Sequence, residues 1–162
     1  MVKIWKISPG YNAELWDAFR RDECVAVGNW DVAGLGDLSQ YSSEEALKRA
    51  GVSGSGAKQL MSFYRDINLN DVIIAYSEKR IWGFGKIASD YFFTNDSRYW
   101  DGENYIRKVE WMEMCPPIDI SSDERLFGNP PANYGILDKQ LTIIEIDPED
   151  WQYILEKYSI TV

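Results

Sequence analysis

The chain has 162 residues, of which 45% are hydrophobic and 27% charged, enough for one domain with a buried core. It contains no histidine, which excludes Ser-His-Asp and Cys-His catalysis as well as histidine-ligated metal sites. The net charge of −9 argues against nonspecific binding to nucleic acid, because such binding depends on Lys and Arg neutralising phosphates.

No apolar run approaches the ~20 residues that a membrane helix needs, and no signal peptide opens the chain. We therefore expect a cytoplasmic protein with no membrane partner. No residues assemble a nucleophile with a base, so we also expect a chain without catalytic residues, cofactor or bound metal.

The first half of the chain predicts strands alternating with helices. Residues 2–8 alternate polar and apolar side chains, which indicates a strand ended by Pro9 and Gly10. Apolar residues at helical spacing follow, with Asn12 as the expected N-cap. A short buried strand is predicted at residues 24–28, and two helices follow between residues 42 and 67.

The second half of the chain predicts four strands, which we place at residues 72–76, 81–88, 106–114 and 141–146. The first two form a hairpin, an aromatic loop spans residues 89–103, and Pro116 is expected to stop the third strand. A last helix begins at Asp147. This order predicts a single α+β domain over residues 1–162, with a curled mixed β-sheet or small β-barrel and flanking helices.

Positive charge gathers in the middle of the chain. Residues 48–108 hold ten basic and seven acidic side chains, whereas the rest of the chain is acidic. We therefore expect phosphate contacts to come from this segment. The candidate phosphate-binding residues are Lys58, Arg65, Lys79, Arg80, Lys86 and Arg98.

Several motifs occur in a characteristic order. A polar turn at residues 7–10 precedes the helix start, and residues 28–31 (Gly-Asn-Trp-Asp) follow the next strand. The hairpin over residues 71–87 and the segment 109–112 (Val-Glu-Trp-Met) come later. The set resembles PUA-like domains of the EVE and YTH type over residues 3–115 or so. It is similar to the modules at the N-terminus of McrB-type proteins, the GTP-driven subunits of modification-dependent restriction systems.

The resemblance implies that one extruded base is held between aromatic rings while polar groups read its edge. By position, Trp30 is the first wall of this aromatic cage, with Asp31 beside it, Asn12 on the base edge and Ser8 in the adjoining polar turn. The second wall should come from the loop after the hairpin. The candidates there are Trp100 first, then Tyr91 or Tyr99.

The chemistry of these side chains fits a methylated base. An ionised Asp31 only accepts hydrogen bonds, so it suits an exocyclic N–H such as that of N6-methyladenine or of cytosine N4. Asn12 both donates and accepts, so it can pair with a ring nitrogen. A buried methyl group adds roughly 0.8 kcal/mol of binding free energy.

We therefore predict a DNA-binding specificity domain that recognises a methylated base by flipping it, with N6-methyladenine favoured and methylcytosine second. The resemblance implies a longer parent protein with a GTPase motor after residue 162 and a separate nuclease subunit. Three alternatives stay open. They are an RNA-reading PUA or EVE module, a small nucleotide-processing hydrolase of ASCH-like shape, and an interaction domain whose acidic tail region binds a protein partner.

Overall fold

The computed structural model describes residues 1–28 and 32–162. Its strands within those residues are β1 (Ile4–Ile7), β2 (Cys24–Gly28), β3 (Val72–Ser77), β4 (Arg80–Ile87), β5 (Phe92–Thr94), β6 (Asn104–Asp119), β7 (Gly128–Asn129), β8 (Asn133–Tyr134) and β9 (Ile143–Ile146). The α-helices are α1 (Trp16–Asp22), α2 (Glu44–Arg49), α3 (Gly54–Met61) and α4 (Pro148–Lys157). This part of the chain has no helix with the length and apolar character needed to cross a membrane.

The main sheet is mixed and curls into a half-barrel flanked by the four helices, which confirms the predicted α+β, PUA-like fold class. Its strands run in the order β2-β6-β4-β3-β1-β9, and β5 also pairs with β6. β1 is parallel to β3, whereas the other pairs are antiparallel. β7 and β8 form a separate small hairpin.

The core lies on both faces of the sheet. One face packs against the early helices through residues such as Phe19 and Leu60. The opposite face packs against α4, which contributes the fully buried Ile154. Successive residues of β3 point to opposite faces of the sheet. Ile73 packs on the face of the early helices, and Ile74 packs on the face of α4. A strand buried on both faces is apolar at every position, which explains the continuous run in β3.

The structure corrects the predicted end of the third strand in the second half. β6 continues through Pro116 to Asp119, because the prolines lie where the register with β4 shifts. Ile81 pairs with Ile118 while Gly83 pairs with Glu113, so residues 114–117 form a bulge rather than part of a regular ladder. A bulge does not require the backbone N–H that proline lacks.

Three strand ends meet at one place on the sheet. β9 runs antiparallel to β1, with Ile7 opposite Ile143, so Thr142 lies beside Ser8. The backbone N–H of Ser8 donates to the carbonyl of Thr142 at 3.1 Å. The end of β2 reaches the same place, and together these ends surround a cavity.

Candidate functional site

A cavity of about 440 Å³ opens at this junction, large enough for a nucleobase and its surroundings. It is built from strand ends and from the loop that follows β5. Its lining residues are Ser8, Gly10, Tyr11, Val27, Gly28, Trp100, Asp101 and Thr142. The cavity therefore combines an aromatic ring, a carboxylate, hydroxyl groups and exposed backbone.

The ring of Trp100 is held in a fixed orientation against this cavity. Its indole Nε1–H donates to the carbonyl of Ala26 in β2 at 3.0 Å, and its backbone N–H donates to the side chain of Asn104 at 2.9 Å. The side chain is half-buried and packs on the core. Because its N–H is already used, the ring offers the cavity a flat apolar face for stacking.

Two glycines let the Trp100 ring lie this close to the backbone. A Cβ atom on Gly28 would lie 3.0 Å from Cβ and Cγ of Trp100, which is tighter than ordinary packing allows. At the other end of the ring, a Cβ on Gly10 would lie 3.3 Å from Trp100 Cη2, and the φ of Gly10 is +90°. A Cβ at either position would require the ring to shift by a few tenths of an ångström.

The side chain of Asn104 holds the loop that carries Trp100 in place through four hydrogen bonds to its backbone. Its side chain is fully buried at the start of β6. The amide oxygen accepts from the backbone N–H groups of Tyr99 and Trp100, and the amide nitrogen donates to the carbonyls of Trp100 and Gly102. Sequence reasoning missed this residue, because its hydrogen bonds depend on how the loop folds back onto the strand.

Two carboxylates lie at or beside the cavity, together with hydroxyl groups that both donate and accept hydrogen bonds. Asp101 lines it directly, and the Glu14 carboxylate lies close to Gly10, with Oε1 3.1 Å from the position a Cβ would take there. Tyr11, which is 75% exposed, stands at the rim. Carboxylates accept hydrogen bonds from N–H groups and repel phosphate, so this arrangement suits an amino-bearing ring rather than an anion.

The structure brings together two of the base-binding residues predicted from sequence, Ser8 and Trp100. Trp30 and Asp31 lie outside the described residues, two and three positions after the cavity-lining Gly28. Asn12 does not line the cavity. It is exposed, its φ is +52°, and its backbone N–H donates to the Glu78 carboxylate at 3.4 Å.

The predicted N-cap role of Asn12 is wrong. α1 begins at Trp16, with Leu15 in the N-cap position, and a 3-10 turn over Tyr11–Ala13 precedes it. The turn allows the backbone N–H of Ala13 to donate to the Ser77 hydroxyl at 3.3 Å, which ties the segment to β3. Tertiary contacts therefore override the local helix signal at Asn12.

The other two predicted wall residues pack inside the protein. The Tyr99 hydroxyl donates to Asp22 at 2.8 Å, and the ring lies edge-on to Phe19. The Tyr91 hydroxyl donates to Asp37 at 2.9 Å, and its ring meets Tyr64 and other buried aromatics. Burial raises the pKa of both tyrosines above the usual range. Neither ring lines the cavity beside Trp100.

The six predicted phosphate-binding residues are spread over several faces, and none of them lines this cavity. Lys58 lines a separate cavity between α3 and β9, and Lys86 lines another beside Trp151. Arg65 donates to the carbonyl of Ser42. The remaining three have neighbours of their own, namely Phe127 for Lys79, Asp119 for Arg80 and Asp96 for Arg98.

Metal ligands do not cluster in residues 1–28 or 32–162: no three His, Cys, Asp or Glu side chains lie close enough together to hold an ion. The side chains that line the cavity can stack a ring, accept hydrogen bonds from it and hold it by shape.

Comparison with solved structures shows the fold. The YTH domain of the Zygosaccharomyces rouxii MRB1 protein, in complex with N6-methyladenosine RNA, is 13% identical with a TM-score of 0.57, and the match covers 99% of this chain and 89% of that one. The Pho92 YTH domain in complex with m6A is 16% identical with a TM-score of 0.55, covering 99% and 87%. Rpa0253 from Rhodopseudomonas palustris is 12% identical with a TM-score of 0.53, covering 96% and 92%.

Comparison with sequences gives the family. No curated protein matches the chain. One family model does match, over residues 5–126, which include most of β1, all of β2 and the loop that carries Trp100. The chain, whose α+β fold resembles that of the YTH domains, therefore belongs to the family described as Domain of unknown function (DUF8426).

Proposed function

We propose that this domain binds a methylated base of a nucleic acid, extruded from its strand into the Trp100 cavity, and that it acts as a binding domain rather than an enzyme. N6-methyladenine is the favoured base and methylcytosine the second. The observation that carries the proposal is the fixed Trp100 ring beside a cavity of about 440 Å³, in a fold shared with YTH domains solved with N6-methyladenosine.

The energetics of such a site are favourable. Extruding a base costs a few kcal/mol, whereas stacking on an aromatic side chain recovers ~1–3 kcal/mol. A second aromatic face would double that gain, and the resemblance assigns Trp30 to it, with Asp31 as the acceptor for the exocyclic N–H. Among the described residues, Asp101 lines the cavity and can also accept a hydrogen bond from such an N–H group.

The methyl group alone gives modest selectivity. Burying it contributes roughly 0.8 kcal/mol, which corresponds to about fourfold in affinity. Greater selectivity requires the site to disfavour the unmethylated base, which happens when the cavity wall leaves an apolar gap at the methyl position. We therefore expect selectivity of at least about fourfold for the methylated oligonucleotide.

We propose DNA as the nucleic acid, in a modification-dependent restriction system, because the order of motifs resembles the N-terminal modules of McrB-type proteins. On this proposal, a GTPase domain of the parent chain and a nuclease subunit would be its partners. RNA is the second candidate, and the fold shared with a YTH domain in complex with N6-methyladenosine RNA favours it.

The test is binding to matched oligonucleotides at fixed salt. DNA and RNA strands carrying adenine, N6-methyladenine, cytosine or 5-methylcytosine are compared by fluorescence anisotropy with the wild type, Trp30→Ala, Trp100→Phe and Trp100→Leu. Both substitutions at position 100 lose the hydrogen bond to Ala26, but only Phe keeps an aromatic face.

We expect preference for one methylated strand, retained in part by Trp100→Phe and lost in Trp100→Leu and Trp30→Ala. Stronger binding to methylated RNA than to methylated DNA would indicate that the domain reads RNA rather than DNA. Equal affinity for methylated and unmethylated strands of both kinds would reject the base-reading function altogether.

A further inference from the structure

A second cavity adjoins the base cavity. Its volume is about 320 Å³, and it shares Ser8, Gly10, Tyr11 and Thr142 with the first. The two cavities therefore open on a common rim formed by the ends of β1 and the start of β9. Because the cavities share this rim, a strand that placed one base in the first cavity would bring a neighbouring nucleotide within reach of the second.

The second cavity contains a buried lysine. Lys6, in β1, is only 4% exposed, and its ammonium donates to the carbonyl of Leu141 and lies 5.7 Å from the centre of the Tyr76 ring. A lysine has three N–H donors, and in the described part of the chain its other two have no hydrogen-bond partner. Burial lowers the pKa of Lys6 to about 8, partly offset by Asp138. An acceptor placed against this amine would relieve the cost of burying its charge.

The charges around Lys6 cancel. The cavity is lined by Lys6 and Lys139 on the positive side and by Glu78 and Asp138 on the negative side. Tyr76 donates its hydroxyl to Asp138 at 2.7 Å, which fixes that carboxylate on the wall. A lining with zero net charge and both donors and acceptors favours a neutral ligand with both kinds of group over a phosphate.

We propose that the Lys6 cavity binds the base of a nucleotide next to the extruded one, with a preference for guanine. This inference rests on the proposed function of the neighbouring cavity. Guanine presents acceptors at O6 and N7, which suit the ammonium of Lys6. Its N1–H and N2 amino groups are adjacent donors, which suit the carboxylates of Asp138 and Glu78.

The test uses the methylated oligonucleotide that the domain binds best, with each of the four bases placed in turn on either side of the methylated one. We expect guanine at one flank to raise affinity about tenfold over the other bases. Inosine, which lacks the N2 amino group, and 2-aminopurine, which lacks both O6 and the N1–H, each remove part of that gain.

Protein variants connect the preference to the cavity. Lys6→Met removes the buried charge, and Asp138→Asn keeps the shape and an acceptor for Tyr76 while removing the carboxylate. Both should abolish the preference for guanine. The matched control is Lys3→Met, since the Lys3 side chain is 43% exposed and pairs with Glu145. This variant should keep the preference.

The outcomes separate this inference from the proposed function. Selective binding of the methylated base with equal affinity for all flanking bases overturns the flanking site and leaves the base-reading function standing. A uniform loss of affinity in Lys6→Met at every flank indicates a phosphate contact and also overturns it. Absence of selectivity for any methylated base rejects the proposed function itself. Circular dichroism checks that each variant is folded. If Lys6→Met does not fold, the result with Asp138→Asn decides.

Discussion

The loop that carries Trp100 should depend on Asn104. Replacing Asn104 with Ala removes four hydrogen bonds to the backbone of Tyr99, Trp100 and Gly102. Each such bond contributes ~0.5–1.5 kcal/mol net, and water replaces part of the loss because the loop lies near the surface. We therefore expect Asn104→Ala to lower the free energy of unfolding by about 2–4 kcal/mol.

Urea unfolding followed by tryptophan fluorescence measures this loss. Asn104→Asp keeps the oxygen that accepts from the two N–H groups but faces the two carbonyls with a carboxylate, so it should also be destabilised. The matched control is Asn95→Ala, in the same connection between β5 and β6, where the asparagine is exposed. It should stay within about 0.5 kcal/mol of the wild type. An Asn104→Ala protein as stable as this control would refute the claim that the Asn104 hydrogen bonds stabilise the loop.

Two other predictions concern the cavity walls. Gly28→Ala should shift the Trp100 ring and weaken binding of the methylated oligonucleotide, which fluorescence anisotropy measures. The control is Gly54→Ala, where the new Cβ lies an ordinary 3.7 Å from its nearest neighbour, and its affinity should stay unchanged. Lys6 binds its proton less tightly in the folded state, so between pH 8 and 10.5 the unfolded state holds more protons, and stability rises with pH. Relative to Lys6→Met, the wild type should therefore gain about 3 kcal/mol across that window in urea unfolding, and parallel pH curves would contradict the burial of this charge.

The general fold could be predicted from the sequence because its signals are local. The alternation in β1 and the hairpin of β3 and β4 follow from side-chain period and turn residues. Pro116 was misread because a proline indicates a strand end only where the ladder is regular. The bulge opposite Ile81 and Gly83 is a property of the strand pair, which a single strand does not reveal.

The binding site could be predicted only in part, because tertiary contacts decide which aromatic ring lines the cavity. Trp100, Tyr99 and Tyr91 all lie in one aromatic region, and the preference for Trp100 from sequence did not indicate what the two tyrosines would do instead. What separates them is tertiary: Tyr99 and Tyr91 have hydroxyl partners in Asp22 and Asp37, more than fifty residues away, and turn inward. Trp100 donates to a backbone carbonyl instead, so its ring remains at the cavity.

The most direct test of the central claim observes the Trp100 ring itself. The indole Nε1–H of each of the seven tryptophans gives its own signal in a ¹H–¹⁵N spectrum, and the Trp100→Phe variant assigns the one from Trp100. Titration with a single strand containing N6-methyladenine should shift the Trp100 signal and leave that of Trp151, on the opposite face of the sheet, in place. Binding of the methylated strand with the Trp100 signal unmoved would contradict the account.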